Sequence, residues 1–191
     1  MSRIMVALGS PREESNTKLL AQIMSEAATN AGAEVETVDA ARMAIGPCTA
    51  CFGCDKSGKF ECVIEDDMKP LYAKFPNVDV LVLATPVYWY GPTAQIKAFM
   101  DRLYACVRFN AETHGFDTCF PEGMKMAALI TAGGDAFDGA DLIVNMIRHA
   151  AQGIGFGYAG TLLAARCTGP DAIRGNAALM QQARDFGRSL A

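Results

Sequence analysis

A doubly wound α/β fold, a parallel sheet covered by helices on both faces, is predicted by three features of the sequence. Short apolar runs alternate with segments of helical periodicity along most of the 191 residues. The runs are largely continuous rather than alternating apolar with polar, as strands buried on both faces require. No repeat or internal linker interrupts them, so residues 1–191 read as a single domain of five strands and five helices.

Ile4–Leu8 is the first strand, stopped by Gly9-Ser10-Pro11. Ser15 or Asn16 can cap a helix through Ala31, with Leu19, Leu20, Ile23, Met24 and Ala27 on one face and Gly32 closing it. Glu34–Val38 alternates charged and apolar residues, as a strand near the sheet edge does. A cysteine-rich loop follows at 46–65, after which Asp66-Asp67-Met68 opens a short helix toward Phe75. The two aspartates are expected to face that helix's positive dipole end.

Val78–Ala84 is the most strand-like run and is placed centrally. Pro92 then starts a helix through Leu103, reaching toward Val107. Residues 108–124 form a long irregular insertion, a kind of segment that is often functional or mobile. Met126–Thr131 is the fourth strand, broken by Gly133-Gly134. A helix from Gly139 to Gln152, a fifth strand at Phe156–Leu163 and a last helix from Asp171 to Leu190 complete the chain.

Composition excludes several classes. Apolar residues make up 51% and charged residues 20%, as in a chain that buries a core. The net charge of −4 is spread out with no basic run, which argues against a nucleic-acid module. The first strand offers about five apolar residues, short of the roughly 7–15 of a secretion signal, and no run approaches the roughly 18 that span a bilayer. A cytoplasmic setting with reduced thiols and no membrane association is the expectation, and clustered cysteines there read as metal or redox sites before disulfides.

Strand-to-helix loops of a parallel sheet leave from one edge, where ligands bind. The first, Gly9 to Thr17, combines a glycine, hydroxyls and a helix N-terminus suited to a phosphate, with Arg12 adding charge. It has neither the G-x-G-x-x-G of dinucleotide folds nor the G-K-[ST] of phosphate-cleaving enzymes, which favours a phosphomonoester held without metal. The second, Thr85-Pro-Val-Tyr-Trp-Tyr-Gly91, carries three consecutive aromatics that ask for a flat partner. The third, Thr131-Ala-Gly-Gly-Asp135, allows close backbone approach to a ligand. Together they describe a site for flavin mononucleotide (FMN).

These three loops, with the long run Thr85 to Arg102 and the motif Cys48…Cys62 followed by Glu65-Asp66-Asp67-Met68, resemble the flavodoxin-like NAD(P)H-dependent FMN reductase superfamily, its iron–sulfur flavoprotein branch above all. The likeness runs nearly end to end. It implies strand order 2-1-3-4-5, non-covalent FMN and a homodimer or homotetramer. The phosphate is expected at Ser10, Arg12, Ser15, Asn16 and Thr17. The isoalloxazine ring is expected against Pro86, Val87, Tyr88, Trp89 and Tyr90 on one side and Thr131, Ala132, Gly133 and Gly134 on the other.

Four of the seven cysteines, Cys48, Cys51, Cys54 and Cys62, fall within fifteen residues in a C-x2-C-x2-C-x7-C pattern. Three close thiols plus a fourth suit a cubane (4Fe-4S) iron–sulfur centre better than structural zinc, which usually pairs two C-x2-C knuckles across a longer spacer. A cluster-free thiol loop and a zinc site stay open. So do three functions: cluster-to-FMN electron transfer from a donor such as ferredoxin, direct hydride transfer from NAD(P)H, and metal or thiol sensing. The first two deliver electrons to a small acceptor such as a quinone, dioxygen or a peroxide. No acid–base residue stands out as catalytic, and Cys106, Cys119 and Cys167 receive no role: Cys106, on a helix, reads as a small buried hydrophobe, and Cys119, in the irregular insertion, could be reactive but has no partner to name.

Overall fold

A computed structural model describes residues 1–169 and 171–191. The parallel sheet is formed by β1 (Arg3–Leu8), β2 (Glu34–Val38), β3 (Val80–Pro86), β6 (Lys125–Thr131) and β7 (Gly157–Ala164), in the order β2-β1-β3-β6-β7. With only the main sheet counted, this is the expected 2-1-3-4-5 order. Between β3 and β6 a separate antiparallel hairpin, β4 (Val107–Asn110) and β5 (Gly115–Thr118), replaces much of the irregular insertion expected at 108–124.

The two-residue strand period sets the layers. On β1, Met5 and Ala7 face one core with Leu81, Leu83, Ala128 and Ile130. Ile4, Val6 and Leu8 face the other with Val80, Val82, Ala127 and Leu129. The first core is covered by α3 (Ala94–Arg102) and α4 (Ala140–Ile154), through Ile96, Phe99, Ile143 and Ile147. The second is covered by α1 (Asn16–Asn30) and α5 (Ala177–Leu190), through Leu20, Met24, Ala183 and Leu190.

Several boundaries differ from expectation for local reasons. Ser15 is the N-cap of α1, its hydroxyl accepting from Lys18 N at 3.2 Å. Pro92 precedes α3, whose cap is Thr93, and the helix tightens into a 3₁₀ turn at Leu103–Cys106. The last helix begins at Ala177 because Asn176 caps it. The helix expected from Asp66 is absent: 3₁₀ turns at Lys69–Leu71 and Phe75–Asn77 carry the chain to β3, each with a proline near its start. A five-residue helix, α2 (Gly53–Ser57), lies inside the cysteine loop.

Candidate functional site

The loops after β1, β3, β6 and β7 meet at the carboxyl edge of the sheet around a cleft of about 240 Å³. Its lining brings together Ser10, Arg12, Ser15, Asn16 and Thr17, then Pro86, Val87 and Tyr88, then Thr131, Ala132 and Gly133. Trp89, Tyr90 and Gly134 lie outside that lining. Cys167 and Thr168 line it as well and were not anticipated. The signal was available, since the loop after the fifth strand leaves from the same edge as the other three.

The floor of the cleft is fixed by buried polar contacts. Ser10 and Thr17 are fully enclosed, and Thr17 Oγ1 shares a hydrogen bond with Thr131 Oγ1 at 2.8 Å, joining α1 to the end of β6. Gly9 turns the chain here because nothing larger fits: a Cβ on it would sit 2.0 Å from Ile96 Cγ1. Asn16 is engaged with the protein, donating to Gly169 O at 2.6 Å and accepting from Ile173 N at 3.3 Å. The Ser15 hydroxyl and carbonyl take the N–H groups of Lys18 and Leu19. That leaves the Asn16 and Thr17 amides at the first turn of a 15-residue helix, where a helix has no acceptors of its own. The geometry offers an anion backbone donors, hydroxyls and the exposed Arg12 at the rim.

Beside the cleft the aromatic loop folds into a tight two-residue turn. Tyr88 and Gly91 exchange backbone hydrogen bonds of 2.8 and 3.0 Å across Trp89 and Tyr90, which stand at φ of +50° and +63°. Bulky residues at positive φ carry strain of order 1–3 kcal/mol each. The turn holds Trp89 95% exposed and Tyr90 63% exposed. Gly139, just before α4, packs against this turn, since a Cβ there would come within 2.5 Å of Tyr90 Cα.

The cysteine loop has an anchored stem and a less supported tip. Arg102, at the end of α3, is fully buried, and the Asp66 side chain is only 11% exposed. Arg102 Nη1 donates to Asp66 Oδ2 at 2.6 Å and to Gly46 O at 3.0 Å, while Nη2 reaches Asp66 Oδ1 at 3.1 Å. Asp66 also accepts from Gly46 N at 2.9 Å and Met68 N at 3.0 Å. Both ends of the loop therefore close on one guanidinium, and Asp66 is an ion-pair partner rather than a residue facing a helix dipole. Burial alone pushes the Asp66 carboxyl up, but Arg102 and the two backbone donors outweigh it and hold it below the ordinary range. Asp67 fastens the same stem through Ala44 N at 2.7 Å.

The four thiols divide into pairs. Cys48 and Cys51 are exposed, and their sulfurs accept from Ala50 N at 3.5 Å and Gly53 N at 3.4 Å. Ala50 and Phe52 take positive φ to curl the chain around them. The Gly53 amide, with the Thr49 hydroxyl second, draws the Cys51 thiol toward ionisation. Cys54 and Cys62 are buried in the core beside the loop, and burial pushes the Cys54 thiol up. Among the described residues, no three histidine, cysteine, aspartate or glutamate side chains are gathered to hold one metal ion. The donor chemistry suits a soft metal, with four thiols and N–H···S contacts at two of them, while the arrangement sets them two and two.

Among the described residues no helix is long and apolar enough to cross a membrane. The chain is 39% identical over 94 residues to an iron–sulfur flavoprotein of Methanocaldococcus jannaschii, covering 49% of this chain and 48% of that one. It is 32% identical over 139 residues to an iron–sulfur flavoprotein of Methanosarcina thermophila, covering 73% and 67%. The match spans about half the length of the first of these relatives. Among solved structures it resembles an NAD(P)H:quinone oxidoreductase from Methanothermobacter marburgensis, with a TM-score of 0.76, 18% identity and 99% and 96% coverage, a likeness of fold. Residues 2–165 match the model of the NADPH-dependent FMN reductase family, and the chain belongs to that family.

Proposed function

We propose that this protein is an FMN-dependent oxidoreductase whose cysteine loop holds an iron–sulfur cluster feeding electrons to the flavin. The observation that carries the flavin half is the cleft itself. Open helix amides, enclosed hydroxyls of Ser10 and Thr17, and a rim arginine suit a phosphomonoester, and the walls beside them carry Pro86, Val87, Tyr88 and Ala132. In this reading Ser10, Arg12, Ser15, Asn16 and Thr17 surround the phosphate. Asn16 contributes its backbone amide, since its side chain braces the loop after β7. Pro86 to Tyr90 and Thr131 to Gly134 frame the ring, with Val87 N held on Thr131 O at 2.8 Å so that the two walls keep a fixed spacing.

FMN when bound supplies two-electron and one-electron chemistry, and the chain positions it and tunes its potential. The strained Trp89–Tyr90 turn presents aromatic surface where a nicotinamide or a flat acceptor can stack. No side-chain acid or base is required for such transfer.

Cys48, Cys51, Cys54 and Cys62 would hold the cluster, which would supply one-electron chemistry toward a donor such as ferredoxin. Two things support this: the N–H···S contacts at Cys48 and Cys51, and the names of the curated relatives. The acceptor class is a small molecule such as a quinone, dioxygen or a peroxide. Assembly is proposed as a homodimer or homotetramer in the cytoplasm.

The second reading, a cluster-free NAD(P)H-dependent FMN or quinone reductase, is favoured by the pairwise division of the thiols. Anaerobic purification followed by iron, sulfide and flavin analysis separates the two. The expected result is one FMN with about four irons per chain. Flavin with less than one iron, reduced rapidly by NAD(P)H, overturns the cluster and leaves the second reading. Absence of flavin overturns both.

A further inference from the structure

Two cysteines outside the cysteine loop lie across from each other at the base of the β4–β5 hairpin. Val107 pairs with Thr118 in antiparallel register, which makes Cys106 and Cys119 the next opposed pair. Cys119 N donates to Cys106 O at 3.1 Å, and the Thr118 hydroxyl donates to the same carbonyl at 3.0 Å, so the register continues through them. Opposed residues joined by such a hydrogen bond have Cα atoms about 5.5 Å apart. That falls inside the span of about 4.4–6.8 Å that a disulfide bridges.

Their surroundings divide the labour between them. Cys106 is fully enclosed in the first core, and Cys119 is half-buried at its margin. Arg108, from the same hairpin, donates to Ala105 O at 3.3 Å and Val107 O at 3.0 Å, placing a cation next to the pair. Its other nitrogen reaches Cys54 O at 2.7 Å, which ties the hairpin to the cysteine loop.

We propose that Cys106 and Cys119 are a peroxide-oxidised dithiol, Cys119 being attacked first and Cys106 resolving it to a disulfide. In the first step the Cys119 thiolate attacks one oxygen of hydrogen peroxide, the O–O bond breaks, and Cys119 sulfenic acid and hydroxide result. In the second, Cys106 sulfur attacks Cys119 sulfur, the S–O bond breaks, and the disulfide and water form. Two thiols lose two electrons and the peroxide gains them. The neighbouring Cys106 thiol and the Arg108 cation draw the Cys119 thiol toward ionisation, whereas burial holds Cys106 protonated until it reacts.

The test uses the full-length holoprotein treated with stoichiometric hydrogen peroxide, alkylated and digested with trypsin without reduction. Leu103–Arg108 and Phe109–Lys125 each carry one of the two cysteines and no other. The expected product is these two peptides linked with loss of two hydrogens, and release of the link by dithiothreitol. In Cys106→Ser, dimedone captures Cys119 as a sulfenic acid at least tenfold more than in the wild type. Peroxide treatment that leaves both peptides unlinked, with Cys119 either alkylated as a free thiol or oxidised to sulfinic acid, overturns the proposal. The wild-type result decides the matter even if the serine variant does not fold.

Discussion

The loop after β1 and the loop after β2 leave the same edge of the sheet, yet they are built on opposite plans. The first is complete in itself. Gly9 packs on Ile96, Thr17 bonds to Thr131, and Asn16 spans to the loop after β7, so the loop is braced by its own protein contacts. The second is closed at its stem by Arg102 and Asp66 and held farther along by Arg108 on Cys54 O and Lys69 on Cys62 O, while two of its thiols face solvent and two face the core. The first region needs a ligand to use its shape; the second has a fixed perimeter around sulfur donors that the protein itself does not bring together.

The largest expected effect comes from breaking the stem. Asp66→Ala leaves the buried Arg102 charge without its carboxylate and should cost about 3–5 kcal/mol, read from urea unfolding. A double variant that also carries Arg102→Met should recover part of that loss. If Asp66→Ala is neutral, the stem is not what holds the loop.

Next is the turn at Gly9. Gly9→Ala forces a methyl into the Ile96 side chain and should cost about 1–3 kcal/mol, with weaker FMN retention on gel filtration. Unchanged stability and flavin content would mean that the first loop is more compliant than its contacts imply.

Thr17→Val removes one partner of a buried hydroxyl pair and strands Thr131 Oγ1. The expected loss is about 1–3 kcal/mol together with lower FMN affinity, measured by fluorescence titration. A stability loss with no change in affinity would separate the hydroxyl pair from the ligand site.

Acid sharpens the contrast between the loops. The folded carboxyl of Asp66 lies below its ordinary value of 3.8, so its contribution is fully present above that value. It fades as pH falls below 3.8 and is lost once pH passes the depressed folded value. Asp66→Asn should therefore flatten the stability profile below about pH 4, and an unaltered acid limb in the variant would assign that limb to other carboxylates.

The smallest effect is at the aromatic turn. Trp89→Gly relieves positive φ at an exposed position and should stabilise the flavin-free protein by up to about 1 kcal/mol. The same change should weaken acceptor or nicotinamide stacking, raising KM.

The strands were legible because a strand buried on both faces must be a continuous apolar run, and Leu81–Ala84 or Ala127–Ile130 can be little else. The three cleft loops followed from strand order, since a parallel sheet sends them to one edge. The hairpin was not legible: Arg108–Asn110 and Phe116–Thr118 are short, exposed or half-buried and mixed in polarity, so neither period shows. Asp66 reads as a helix start in the sequence because Asp67 and Met68 imitate one, while its true partner is 36 residues away. Nothing in their own sequence marks Cys167 and Thr168; only the meeting of four loops does.

Helix α3 gives the two contrasting loops a common metric. It is capped by Thr93, whose amide is held by Thr85 Oγ1 at 3.0 Å just beyond the aromatic turn, and it ends at Arg102 beneath the cysteine loop. Nine helical residues make a rod about 13 Å long, with no soft joint in its hydrogen-bond ladder. The spacing between the aromatic turn and the sulfur-bearing loop is thus gauged by a single stiff element. Inserting or deleting one residue in α3 would also rotate Arg102 by about 100° away from Asp66, so length and anchorage are inherited together.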